Sequence, residues 1–106
     1  MKRIGTVFLA VASFAVASSA LADQLEDMMK KYGCNACHSE DKKIIGPAYK
    51  EVAAKYKGDA GAVAKLTEKV KKGGAGVWGQ VPMPPNPQVP DADVKKMVEM
   101  ILALKK

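Results

Sequence analysis

The sequence predicts an all-α domain, and three observations carry that prediction. Apolar residues recur at three- and four-residue spacings in four separate stretches. No stretch alternates apolar and polar residues as a half-buried strand would, and no internal repeat is present. Glycine, proline and aspartate stand at the edges of the four stretches, where helices start and stop.

The first helix is predicted from Asp23, whose carboxylate can cap it, to Tyr32. Glu26 and Asp27 in its first turn and Lys30 and Lys31 in its last complement the helix dipole. Leu25, Met28, Met29 and Tyr32 give it one apolar face, and Gly33 ends it. A second helix is expected from Pro47, suited to the first helical position because its missing N–H costs nothing there, to about Lys57. Ala48, Val52, Ala53 and Tyr56 form its buried side, and Gly58 stops it. Asp59 is the expected cap of a third helix, Ala60 to about Lys72, with Val63, Leu66 and Val70 inward. The run Gly73-Gly74-Ala75-Gly76 closes it. Between Val77 and Pro90 five prolines forbid regular helix or central strand. A last helix, capped by Asp91 or Asp93, runs to about Leu104 with Val94, Met97, Val98, Ile101 and Leu102 as its stripe.

The amino-terminal segment reads differently. Lys2 and Arg3 precede an apolar run from Ile4 to about Val16, and Ser18-Ser19-Ala20-Leu21-Ala22 ends in an A-x-A pattern. This is the form of a secretory signal cleaved after Ala22. The run falls short of the ~20 residues that span a bilayer, so no stable membrane insertion is expected. Residues 1–22 are therefore assigned as leader and 23–106 as the domain. Loss of Lys2 and Arg3 lowers the formal net charge from +6 to +4, because all eleven acidic residues follow Ala22. The remaining basic residues are all lysine, which suits steering toward acidic protein partners and argues against nucleic-acid binding. A domain this small buries a marginal core and commonly needs a staple.

The staple is legible in Cys34-Asn35-Ala36-Cys37-His38. C-x-x-C-H is the attachment signature of c-type haem: each cysteine adds to one vinyl group, and the histidine that follows binds the iron. The rival readings are weaker. Structural zinc usually takes four Cys or His ligands, whereas this chain has three such residues in all. Thioredoxin-like sites belong beside a βαβ pattern, which is missing. A plain disulfide suits an exported chain but leaves His38 unexplained. One haem, attached through Cys34 and Cys37, is therefore predicted, with His38 as an iron ligand.

His38 is the only histidine, so the second axial ligand is methionine, lysine, a small molecule or none. Met28, Met29, Met97 and Met100 fall in helices, where methionine is usually core filler. Met83 lies instead in Val81-Pro82-Met83-Pro84-Pro85, where prolines stiffen the chain and could present the sulfur ready-placed. Met83 is the predicted distal ligand. A Met/His pair raises the reduction potential relative to stronger donors.

These residues, with Gly46-Pro47-Ala48-Tyr49 and Gly76-Val77-Trp78-Gly79 followed by Pro82-Met83-Pro84-Pro85-Asn86, closely resemble the small bacterial class I cytochromes c of the c-551/c-552 type. The resemblance covers essentially all of residues 23–106. It implies a compact fold of four or so helices around one haem. It also implies a monomeric periplasmic electron carrier, taking electrons from a cytochrome reductase and passing them to a nitrite reductase, oxidase or peroxidase. By the same resemblance the Pro47 carbonyl accepts the His38 ring N–H, Trp78 hydrogen-bonds a haem propionate, and Asn86 hydrogen-bonds near the Met83 sulfur. Lys69 stands where some members place a propionate-binding arginine, and it keeps the charge without the fork. Met100 stands where members often carry tryptophan. Lys42, Lys43, Lys69, Lys71 and Lys72 are candidates for a ring of charges that steers partners. No catalytic acid, base or nucleophile pair is evident. The competing function is a haem enzyme or gas sensor with an open distal position, although no second histidine exists to serve it.

Overall fold

The computed structural model describes Gly5 and residues 15–104, so most of the expected leader lies outside the described residues. Four α-helices follow in order: α1 Ala15–Tyr32, α2 Tyr49–Lys55, α3 Ala62–Lys72 and α4 Asp91–Leu102, with a single 3-10 turn at Cys34–Ala36. Among the described residues there is no strand, only two isolated bridges, His38 with Lys43 and Gly74 with Met83. The all-α expectation holds.

The helix starts differ from the sequence reading, each for a local reason. α1 runs unbroken through Asp23, because the alanine-rich residues before it continue the helix. Asp23 is thus an interior residue and caps nothing. Pro47 precedes α2 rather than opening it: Ala48 is the N-cap, and its carbonyl accepts the N–H groups of Glu51 and Val52. The first free N–H groups of α2, at Tyr49 and Lys50, donate to the carbonyls of Ser39 and Glu40, so the loop after the haem motif caps this helix. Asp59 acts one turn early. Its Oδ1 accepts the N–H of Gly61 (2.8 Å) and its Oδ2 meets Lys65 Nζ (3.0 Å), while Gly61 is the N-cap of α3. Pro90 caps α4 through its main chain, leaving Asp91 and Asp93 in the first turn, where they complement the dipole instead. α2 and α4 both end two residues before the expected positions.

α4 is the central element and packs against α1, α2 and α3. Its Val94, Met97, Val98, Met100 and Ile101 meet Leu25 and Met29 of α1, Tyr49 and Val52 of α2, and Val89 of the proline loop. Met100, which replaces the bulkier aromatic of the resemblance, is buried in this core. The predicted inward residues of α3, Val63, Leu66 and Val70, are half-buried and pack against the same cluster. Tyr32 closes the junction of α1 and α4 by donating its hydroxyl to the Asp93 carboxylate, and that bond pushes the tyrosine pKa up. No described helix is long and apolar enough to cross a membrane.

Candidate haem site

Gly33 adopts φ +74°, a conformation that glycine takes without steric cost, and so turns the chain from α1 directly into the 3-10 turn. Its carbonyl accepts the Ala36 N–H, and the Cys34 carbonyl accepts those of Cys37 and His38. This tight turn puts both cysteines and the histidine within one bend. Both cysteine side chains are half-buried. Burial pushes the pKa of the Tyr49 hydroxyl, close to Cys34, up.

The imidazole of His38 is held from two sides. Its Nδ1 lies 2.8 Å from the Pro47 carbonyl oxygen. A carbonyl can only accept, so Nδ1 carries the proton and Nε2 keeps its lone pair for a metal. The ring also stacks on Tyr49, with centroids 5.0 Å apart and planes 22° from parallel. Gly46 makes room for it. A Cβ there would sit 2.4 Å from His38 Cε1, inside any permissible contact. Gly46 and Tyr49 belong to one of the motifs that carry the resemblance, yet nothing in their spacing assigns either a part in holding the ring. Only the return of the loop onto His38 reveals their parts.

Met83 is fixed through its main chain. It exchanges two hydrogen bonds with Gly74, Met83 N–H to Gly74 O at 2.9 Å and Gly74 N–H to Met83 O at 3.0 Å. Gly73, at φ +71°, permits this approach, since a Cβ on it would lie 2.4 Å from the Met83 carbonyl oxygen. Asn86 secures the loop further along. Its main-chain N–H donates to the Lys71 carbonyl, and its side-chain Nδ2 donates to the carbonyls of Val70 and Pro84, each at 3.1 Å. Both amide hydrogens are thus directed at carbonyls rather than at the methionine sulfur. Trp78 is partly exposed, with Lys55 Nζ 5.3 Å from the centre of its ring. Lys69 lies in the last turn of α3 with its ammonium beside Gly74.

The apolar surface left over is unevenly placed. Among the described residues, and apart from Leu21 in α1, the exposed large apolar residues are Ile44 and Ile45, between His38 and Gly46, and Val77, Trp78 and Val81, between Gly74 and Met83. They occupy only the two loops that carry the predicted axial ligands. A flat apolar group bonded to Cys34 and Cys37 would cover such surface, and the donor set of one imidazole and one thioether suits its iron. The residues fit a haem.

Comparison with known proteins agrees. The family model for cytochrome c matches residues 22–105. The chain is 55% identical to cytochrome c-551 of Allochromatium vinosum over 91% of its own length and all of that protein. It is 48% identical to cytochrome c-552 of Nitrosomonas europaea over 99% of its length and all of that protein. The crystal structure of Nitrosomonas europaea cytochrome c552 superposes with a TM-score of 0.73 at 50% identity, covering 76% of this chain and 99% of that one. A class 1 cytochrome from Sideroxydans lithotrophicus superposes with a TM-score of 0.62 at 31% identity, covering 77% and 94%.

Proposed function

The chain belongs to the cytochrome c family, and from that premise we propose a periplasmic single-electron carrier whose haem iron is held between His38 and Met83. Electron carriage and one haem c bound through Cys34 and Cys37 come with the family. The haem supplies an iron that gains and releases one electron. His38 offers Nε2, and Pro47 fixes the tautomer and the orientation of the ring. Stacked on Tyr49 and fitted against Gly46, the ring has little freedom to turn between oxidation states. A carrier needs no acid, base or nucleophile, and none is assigned.

The observation that carries the ligation concerns the methionines. Met29, Met97 and Met100 are buried in the helical core and Met28 packs against it, whereas Met83 alone of the described methionines sits in a loop. Export is supported by the form of the leader and by the matched lengths. The Nitrosomonas europaea structure is matched over 99% of its length yet reaches only 76% of this chain, and the family match begins at residue 22. Donor and acceptor are a cytochrome reductase and a nitrite reductase, oxidase or peroxidase, met by a monomer. Lys42 and Lys43 are the steering charges favoured here. Lys72 pairs with Glu68, and the Lys71 side chain is only partly exposed and bonded to the protein.

The ferric protein is expected to show the weak red charge-transfer band of methionine–iron coordination, and Met83→Ala is expected to abolish it and lower the midpoint potential. Rapid binding of carbon monoxide by the reduced wild-type protein would instead mark an open distal position and overturn the reading.

A further inference from the structure

Lys71 is bonded unlike a surface lysine. It is the next-to-last residue of α3, and its side chain is only 23% exposed. Its ammonium reaches three oxygens: the Val89 carbonyl at 2.5 Å, the Pro87 carbonyl at 3.2 Å and Asp91 Oδ1 at 2.9 Å. An ammonium has three hydrogens, so all of its donors are used. The two carbonyls belong to the downstream limb of the proline loop, and Asp91 opens α4. The main-chain carbonyl of Lys71 meanwhile accepts the Asn86 N–H at 3.1 Å. One residue therefore holds the loop that carries Met83 from both its backbone and its side chain.

The partners make this arrangement matter. Prolines at 82, 84, 85, 87 and 90 leave the loop short of N–H groups, so it has few hydrogen bonds of its own to make. Its carbonyls must be served from outside, and charge-assisted bonds are the strongest available. Upstream the loop is closed by the Gly74–Met83 pair, and downstream by Asn86 and Lys71. Met83 is itself part of the upstream fastening and Asn86 follows three residues later, and a thioether bound weakly to iron gains from any restraint on the chain that presents it.

We propose that Lys71 is a positioning residue for Met83, latching the downstream limb of the axial-ligand loop to α3 and so holding the sulfur against displacement. This rests on Met83 being the distal ligand, and the two ideas fail differently.

The test titrates imidazole into the ferric haem-loaded protein and follows loss of the red band. Wild type and Lys71→Met are compared at a temperature where circular dichroism shows both fully folded. Lys71→Met is expected to bind imidazole about tenfold more tightly, the size of change that removing one charge-assisted bond from the closed loop would give. Lys71→Arg, which can still reach the carbonyls, should return most of the way to wild type. A merely structural lysine would lower the melting temperature of Lys71→Met and leave its imidazole affinity unchanged, and that result overturns the latch. Should Lys71→Met not fold, Lys71→Ala, which carries no donor, is read in the same titration. Tighter binding supports the latch and wild-type affinity overturns it. A wild-type ferric protein without the red band removes Met83 as ligand, and the latch with it. A wild-type band with unchanged variant affinities removes the latch alone.

Discussion

The His38 imidazole is set by three neighbours that do different jobs. The Pro47 carbonyl accepts a hydrogen bond from its Nδ1–H, Tyr49 supplies a face to lie against, and Gly46 contributes the lack of a side chain. The first of these is readable through the resemblance, as a carbonyl partner for a ligating histidine. The other two are not, because sequence shows that Gly46 is glycine but not what its absent Cβ would strike. Gly46→Ala is therefore a sharp check. With only 2.4 Å between the new Cβ and the ring, either the imidazole or the loop must shift, and overpacking of this sort costs about 1–3 kcal/mol. Denaturant melts of the haem-loaded variant should show a loss of that size, together with a changed absorption spectrum if the ring is what moves. An unchanged spectrum and stability would mean that the ring is held less firmly than its neighbours imply.

At the scale of elements, α4 organises the fold. It touches the three other helices and holds half of the core cluster. Met97 faces that cluster at 4% exposure, so Met97→Ala is expected to cost about 2–4 kcal/mol in chemical denaturation, with little change in the reduction potential of the folded fraction. The apolar stripe makes α4 and the inner face of α1 legible in the sequence, since a period of three to four residues is a local property. Helix starts are harder to read. Asp23, Asp59, Asp91 and Asp93 are all good capping residues by type, yet none is an N-cap here, because main-chain carbonyls from preceding loops or the continuing helix take that place. Asp59 still contributes at the entrance to α3. Lys65 and the Gly61 N–H hold its carboxyl below the ordinary carboxylate pKa, so what it contributes is present at neutral pH and fades as pH falls through that lowered value. The bonds that tie Lys71 and Asn86 to the loop join residues fifteen or more positions apart, and no local pattern announces them.

The described residues combine a helical core with five exposed apolar side chains in the two loops that hold His38 and Met83 or adjoin them. A chain of this size has little apolar area to spare, so covalent haem supplies a large part of what the loops lack. Expressed without haem, the Cys34→Ala/Cys37→Ala double variant is expected to lose most of its helical circular dichroism. A native signal would show that the helices stand without the cofactor.

Mass spectrometry of the exported protein should place its first residue at Asp23. That boundary falls inside α1, which runs continuously from Ala15 to Tyr32. Cutting there strips away the preceding turns and leaves N–H groups at a newly made helix start with no carbonyl above them. Asp23, Glu26 and Asp27, which sit mid-helix in the longer chain, then become first-turn carboxylates positioned to answer those donors and the positive end of the dipole. Processing would thus do more than release a passenger segment. It would turn three mid-helix acidic side chains, of which Glu26 already pairs with Lys30, into the terminus that the finished helix requires.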